Sequence, residues 1–239
     1  TYALKKGLIE AGLANGRVGS DDPRIGGWLQ DIGLTDLTVT DAYSTFREIR
    51  MAKSPDEIEL MRTVAKINED CLEAVFDNLR VGMPRSELEV IYNTEVAKRG
   101  ARALYLATGQ SGTNNNLGGI LENEPITFDG LCEYRNYHGD LGRVAICGTP
   151  RQDLVDRMKA IDVGCQTVLK MVKPGITGSE VSAAVVDAVK KAGFEGFFFA
   201  TPHSIGLEHS DHPLPVGPTL PGGNGDFVFE ENMVFSLDM

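Results

Sequence analysis

The pattern of apolar and polar positions changes near Lys53. Before it, a helical pattern is followed by short apolar segments separated by Gly, Asp and Pro, which is typical of a small α/β piece. After it, Ser54, Pro55 and Glu57 form a Ser-x-x-Glu capping box with proline at the first helical position. A helix to about residue 79 should follow, with this apolar face: Ile58, Met61, Ala65, Cys71, Leu72 and Val75. We therefore predict a domain boundary near Lys53.

A similar helical pattern occurs twice further along the chain. Ser86 and Glu89 are predicted to form a second capping box, on a helix that runs through Lys98 and is closed by Gly100. The segment "RVGMPRSELEV" superposes on "VKPGITGSEVSA" at an offset of 93 positions, residue 82 on residue 175. Each copy continues into a strand-rich, Gly-rich stretch. We interpret this as an internal duplication and predict two αα-β units, with their strands in one sheet covered by the helices.

Composition excludes some classes of partner. With 23 Lys and Arg against 34 Asp and Glu, the net charge is −11, and we expect no nucleic-acid partner because a phosphate-neutralising surface is missing. No run of about 18 apolar residues and no secretory leader is present, so we expect no membrane span and a cytoplasmic location. We expect the four cysteines to be reduced core residues, rather than a structural zinc site or a disulfide framework: Cys71, Cys132, Cys147 and Cys165.

Two carboxylates stand out in the first strand-rich stretch. Asp129 and Asp140 flank the segment "GLCEYRNYHG", which is long enough for two antiparallel strands. Such a ribbon would bring both carboxylates to one place, where they would repel each other unless a cation or a proton lay between them. The alternative is that Asp129-Gly130 and Gly139-Asp140 are ordinary turns.

The second strand-rich stretch contains a cluster of histidines. The segment "TPHSIGLEHSDHP" holds three of the four histidines, His203, His209 and His212, together with Glu208 and Asp211. Such a cluster can bind a metal, carry out acid/base chemistry or belong to a polar loop, and the spacing alone does not decide between them. No His-Glu-x-x-His helix, phosphate loop or Gly-x-Ser-x-Gly motif indicates a competing chemistry.

Four segments of the chain belong together: "FREIRMAKSPDEIELMR", "DGLCEYRNYHGDLGR", "HSIGLE" and "ENMVFSLDM". Together they resemble the creatinase, prolidase and methionine aminopeptidase superfamily, peptidase family M24. The resemblance implies an α+β fold, with the family's duplicated pita-bread catalytic domain in residues 53–239, incomplete at its C-terminal end. Residues 1–52 would be the C-terminal remainder of the smaller α/β N-terminal domain. Because the family is commonly dimeric, a homodimer is expected.

The resemblance also implies a site with two divalent metal ions, either Mn²⁺, Co²⁺, Fe²⁺ or Zn²⁺. Four side chains would bind the ions: Asp129, Asp140, His203 and Asp238. The catalytic residue would be His209. Three residues would contact a small peptide or amide substrate: Asn116, Asp211 and His212. The implied activity is hydrolysis of a C–N bond, as in an Xaa-Pro dipeptidase or an aminopeptidase P.

The chain departs from the family pattern at three positions. Asn116 stands where the peptidases carry a histidine, Ser210 stands where an ungapped count expects another, and Asp238 stands in place of glutamate. Asn cannot carry a proton, which favours non-peptidase members of the fold, such as creatinase, ectoine hydrolase or dimethylsulfoniopropionate lyase. A non-catalytic peptide-binding module is a further alternative. Retention of Asp129, Asp140 and His203 argues against it, because such a module needs no converging buried charges.

Overall fold

The computed structural model describes residues 2–22, 24–110, 118–196, 199–214 and 226–239. The chain divides into two compact units, Thr1–Arg50 and Met51–Met239. The first unit contains five elements: α1 (Tyr2–Glu10), β1 (Gly16–Ser20), α2 (Ile25–Asp31), β2 (Leu37–Asp41) and α3 (Tyr43–Ile49). Strands β1 and β2 pair in parallel, and the small core of this unit is built on three buried leucines: Leu29, Leu34 and Leu37.

The second unit repeats an order of two helices followed by strands. Its first half contains α4 (Pro55–Asp77), α5 (Arg85–Lys98), β3 (Arg102–Gln110), β4 (Pro125–Tyr134) and β5 (Tyr137–Ile146). Its second half contains α6 (Gln152–Met171), α7 (Gly178–Lys191), β6 (Thr201–Ser204) and β7 (Phe235–Asp238). Among the described residues, no helix is long and apolar enough to cross a membrane.

The helix starts follow the predicted capping boxes only in part. At α4 the prediction is confirmed, because Ser54 Oγ accepts a hydrogen bond from the Glu57 N–H at 3.3 Å and Glu57 Oε2 accepts one from the Ser54 N–H at 2.7 Å. The box predicted at Ser86 and Glu89 is wrong. Helix α5 begins at residue 85 after Pro84, whose side chain makes no capping hydrogen bond, so Ser86 already lies within the first turn.

The backbone of the second half repeats that of the first. The N-terminal caps of α5 and α7, Pro84 and Thr177, are 93 positions apart, and the two helices have the same length, 14 residues. The turn before each helix contains a glycine with positive φ, Gly82 at +80° and Gly175 at +93°, and the backbone N–H of each donates a hydrogen bond of 2.8 Å to a later segment. The duplication inferred from the sequence is therefore present in the fold.

The strands of the two halves form separate hydrogen-bonded sheets in the described residues. Strands β3, β4 and β5 form an antiparallel sheet in that order, and β6 pairs antiparallel with β7. The single sheet that we expected is not formed there, because β5 and β7 are in contact without a hydrogen-bonded register. The hairpin turn between β4 and β5 lies at Arg135 and Asn136, which both have positive φ. Asp129 and Asp140 therefore lie within strands, and the alternative of two ordinary turns is wrong.

Each half has its own hydrophobic core. In the first half, helices α4 and α5 pack against the three-stranded sheet through buried side chains that include Val64, Leu72, Leu88 and Phe128. In the second half, α7 packs against α6 and β6 through Val181, Val185 and Val189. All four cysteines are free thiols, of which two are buried, Cys71 and Cys132, and two are half-buried, Cys147 and Cys165.

Candidate metal centre

Two carboxylates of the site come from the β4–β5 hairpin. Asp129 lies opposite Gly142 in the ladder, and Asp140 lies opposite Leu131. Since side chains alternate between the two faces of a strand, this register puts both carboxylates on one face as diagonal neighbours. The side chain of Asp140 is only 7% exposed.

A buried polar contact fixes the hairpin beside these carboxylates. Asn68 on α4 is completely buried, and its Nδ2 donates hydrogen bonds of 2.7 Å to two strand carbonyls, those of Gly130 and Gly139. The Tyr92 hydroxyl of α5, also buried, donates to Asn68 Oδ1 at 2.7 Å. In the sequence, Gly130 directly follows Asp129 and Gly139 directly precedes Asp140. Helix α4 is thus hydrogen-bonded to both strands next to the two aspartates.

The second half brings an imidazole and a further carboxylate to the same place. His203 on β6 lies opposite Ser236, and Asp238 lies two residues further along β7. His203 Nε2 is 3.3 Å from Asp140 Oδ2 and 3.8 Å from Asp238 Oδ1. One ligand atom from each of Asp140, His203 and Asp238 lies within 4.8 Å of the other two. This group could hold a metal ion.

Electrostatics couple the buried imidazole to its carboxylates. Burial alone would lower the pKa of His203, but hydrogen bonds to Asp140 and Asp238 outweigh it and raise the pKa to about 10. Burial would likewise raise the pKa of Asp140, yet hydrogen bonds from the two imidazoles of His203 and His209 lower it well below its ordinary value. Without a metal, the imidazole of His203 is therefore protonated at neutral pH. A metal ion has to displace this proton when it binds.

His209 lies beside this group. Its Nε2 is 3.5 Å from Asp140 Oδ2, and its ring makes an edge contact with the ring of His203, with centroids 5.9 Å apart. On the other side, its ring makes a similar edge contact with Tyr105 at 6.1 Å. The side chain of His209 is 38% exposed, in contrast to the buried His203. A molecule bound at this point could therefore reach His209.

Asp129 lies outside the group of three ligand atoms. Its Oδ2 accepts a hydrogen bond from the Tyr105 hydroxyl at 3.2 Å. Partial removal from water and the nearby charge of Asp140 raise its pKa, while the Tyr105 hydrogen bond acts in the opposite direction. Asp129 lines the same cavity as the group, so it remains available as a further ligand.

The loop after β6 is attached to the first half of the unit. The backbone N–H of His138 donates to the Gly206 carbonyl oxygen at 2.9 Å, and His138 Nδ1 lies 3.2 Å from the same oxygen. His138 precedes Asp140 by two positions on β5. The loop that carries His209 is therefore held against the strand that carries Asp140.

The structure describes two of the three residues that were predicted to contact substrate, Asp211 and His212. Asp211 is completely buried, its N–H donates to the Ser204 carbonyl at 2.9 Å, and its Oδ1 accepts from the His212 N–H at 2.7 Å. The buried Lys53 donates from Nζ to Ser204 Oγ at 3.4 Å. In the described part of the chain, neither Asp211 nor His212 lines the cavity. Asn116 lies outside the described residues.

A cavity of about 920 Å³ opens beside the group. Its polar wall contains five of the predicted site residues: Asp129, Asp140, His203, His209 and Asp238. Its apolar wall contains side chains from α4 and α6: Ile58, Met61, Met158 and Ile161. A cavity with a polar wall and an apolar wall suits a small molecule that has both polar and apolar parts.

Sequence reasoning missed several residues around this site. Tyr105 stands two positions before Ala107, the partner of Asp129 in the ladder, so strand periodicity could have put it on the same face. Asn68 interrupts the apolar face of α4, and a polar residue in such a position needs a buried partner. Lys53 and His138 carried no comparable signal, and the residues that they contact at the end of β6 and just after it, Ser204 and Gly206, are distant in sequence.

Comparison with solved structures identifies the class of fold. The X-Pro aminopeptidase of Thermotoga maritima MSB8 superposes with a TM-score of 0.76, over 98% of this chain and 76% of that chain, at 19% sequence identity. The similarity confirms the predicted α+β class, the duplicated pita-bread fold.

Comparison of sequences identifies the family. The profile of metallopeptidase family M24 matches residues 59–239, more than half of the chain, and the chain belongs to this family. It is 26% identical to the Xaa-Pro dipeptidase of Lactobacillus helveticus over 208 residues, 83% of this chain and 55% of that protein. It is also 26% identical to the ectoine hydrolase of Halomonas elongata over 193 residues, 74% of this chain and 48% of that protein. The chain spans about half the length of these curated relatives.

Proposed function

We propose that the chain carries the centre of a metal-dependent hydrolase that cleaves a peptide or amide C–N bond, with Xaa-Pro dipeptides as the leading substrate class. The observation that carries this proposal is the convergence of Asp140, His203 and Asp238 beside His209 in the wall of one cavity. Family membership and the dipeptidase relative support the substrate class.

The donor atoms fit divalent metal ions. Three of them lie within 4.8 Å of one another, and a set of carboxylates with one imidazole suits Mn²⁺, Co²⁺, Fe²⁺ or Zn²⁺. We propose that four side chains would hold two ions: Asp129, Asp140, His203 and Asp238. When bound, such ions lower the pKa of a water molecule and polarise the carbonyl of the substrate.

The chain's own residues have distinct proposed roles. His203 binds metal through Nε2 after losing its proton, and its Nδ1 faces the Ser204 carbonyl at 3.3 Å. His209, exposed to the cavity, contacts substrate and can hold a proton during the reaction. The apolar wall from α4 and α6 would receive the apolar part of the substrate. The substrate contacts of Asn116, Asp211 and His212 stay predictions from the sequence resemblance.

A second candidate is hydrolysis of a small amide that is not a peptide. It is favoured by the ectoine hydrolase relative, whose identity equals that of the dipeptidase relative. It is also favoured by Asn116, which replaces a proton-carrying histidine of the peptidases.

Metal content and hydrolysis together test the proposal. We expect the protein, purified without chelator, to contain about one to two equivalents of divalent metal and to hydrolyse Xaa-Pro dipeptides. The His203→Ala variant should lose metal, while the control Asp187→Asn should retain it, because Asp187 is an exposed helix carboxylate paired with Lys191. Equal metal content in His203→Ala and the control would overturn the metal site. Metal-loaded protein that cleaves ectoine-type amides but no dipeptide would favour the second candidate.

Three further proposals rest on the resemblance. We propose that the first unit is the remainder of a smaller N-terminal domain, that the protein forms a homodimer, and that it is cytoplasmic. Size-exclusion chromatography with light scattering tests the dimer, and a mass equal to one chain would contradict it.

A further inference from the structure

Tyr105 connects two of the proposed site residues, although no motif assigns it a role. Its hydroxyl donates to Asp129 Oδ2 at 3.2 Å, and its ring makes an edge contact with His209 at a centroid distance of 6.1 Å. Tyr105 thus contacts both Asp129, the proposed metal ligand outside the group of three, and His209, the proposed catalytic residue.

The register between β3 and β4 directs Tyr105 to this place. Along β3, Tyr105 pairs with Leu131 and Ala107 pairs with Asp129, and the register between these two pairs is regular. A register shift, typical of a β-bulge, lies just before this regular stretch, between Ala103 and Tyr105. Tyr105 then lies diagonal to Asp129 on the same face, a distance that an aromatic side chain can span.

The chemistry of the contact defines what Tyr105 can do. The ordinary pKa of a tyrosine hydroxyl is about 10, so the hydroxyl of Tyr105 carries a proton at neutral pH and acts as a donor. A single donor on Oδ2 fixes the orientation of the carboxylate and leaves Oδ1 for another partner. Hydrogen bonds of this kind to ligating carboxylates orient the ligand, and their loss typically weakens metal binding by about 10–100-fold.

We propose that Tyr105 is a positioning residue of the metal site, which sets the orientation in which Asp129 binds its ion. This inference rests on the proposed function, because it requires Asp129 to be a metal ligand. It adds a residue from β3 to a site whose other members come from β4, β5, β6, β7 and the loop after β6.

Calorimetric titration of Mn²⁺ into the metal-free full chain tests the inference. In Tyr105→Phe we expect the affinity of one ion to fall by about 10-fold or more, with the rings still in contact. The matched control is Tyr137→Phe, which removes a hydroxyl that donates to the Glu57 carboxylate at 2.6 Å outside the site. This control should bind Mn²⁺ as the wild type does.

A double-mutant cycle separates positioning from general stability. In an Asp129→Asn background, Tyr105→Phe should have no further effect on Mn²⁺ affinity, because the two residues act through one contact. Wild-type affinity in Tyr105→Phe, or an equal loss in the Tyr137→Phe control, would overturn the inference while leaving the proposed function intact. Failure of the wild type itself to bind Mn²⁺ would overturn the proposed metal site, and this inference with it.

Discussion

Gly139 allows helix α4 to approach strand β5 beside Asp140. A Cβ atom at this position would lie 2.8 Å from the Val64 carbonyl oxygen and 3.0 Å from its carbonyl carbon. Both atoms belong to the helix backbone, so no side-chain rotation can relieve the contact. The Gly139→Ala variant must therefore move the strand or the helix, and with it the hydrogen bond that Asn68 donates to the Gly139 carbonyl.

The size of the effect follows from the distances. Ordinary contact begins near 3.4 Å, so the strand has to retreat by about 0.6 Å, enough to lose dispersion contacts across the interface. Overpacking of this kind typically costs about 1–3 kcal/mol. Replacing Gly by Ala gains about 0.4–1 kcal/mol by restricting the unfolded chain. We expect Gly139→Ala to lower the free energy of unfolding by roughly 1–2 kcal/mol.

The matched control is Gly142→Ala on the same strand, where the nearest atom to a new Cβ is the Phe128 carbonyl oxygen at 3.9 Å. Urea unfolding of both variants should be followed by far-UV circular dichroism. The only tryptophan, Trp28, lies in α2 of the first unit, so its fluorescence does not follow the unfolding of the second unit directly. If Gly139→Ala is no less stable than Gly142→Ala, the packing argument is wrong.

Two more predictions concern the buried polar contacts. Tyr92→Phe removes the donor to Asn68 Oδ1 and should lower the free energy of unfolding in urea by about 1–3 kcal/mol; an unchanged midpoint and slope would contradict this. For the metal-free protein, the folded-state pKa of His203 is about 10, above the ordinary value of 6.5. The protonated imidazole therefore contributes its full stabilisation at pH values below 6.5, and this contribution is lost as the pH rises through 10. We expect the free energy of unfolding to fall between pH 7 and pH 10, and to fall less in His203→Ala. If the free energy of unfolding depends on pH in the same way in both proteins, His203 does not form the proposed ion pairs with Asp140 and Asp238.

The sequence predicted those parts of the fold that depend on local chemistry. The capping box at Ser54 was predictable because a side chain three residues away completes it. The same motif at Ser86 misled, because the N-cap of that helix is Pro84, two residues earlier, which also forms an antiparallel bridge with Gly119. Asp129-Gly130 and Gly139-Asp140 could be interpreted as turns because glycine and aspartate are common in turns. Here Gly130 and Gly139 instead provide space and carbonyl oxygens for a packed helix, which only the tertiary structure reveals.

The candidate site was predictable to the extent that it lies in motifs. Asp140, His203 and Asp238 could be named from segments that resemble the family, and the structure brings these three side chains together. The hydrogen-bond partners of Asn68 and Tyr105 could not be named in the same way, because they lie on other elements and depend on helix packing and on strand register. A bulge changes the strand register by one residue and leaves no unambiguous mark in the sequence.

The division of the site between two repeated halves has a further consequence. Asp129 and Asp140 come from the first copy, and His203 and Asp238 come from the second. Two identical subunits that meet at a symmetric interface must present the same residues from both sides. Joining the two copies in one polypeptide removes that restriction, so one side can contribute a carboxylate pair while the other contributes an imidazole. The covalent link also fixes the ratio of the two copies, so an asymmetric centre can form at any protein concentration.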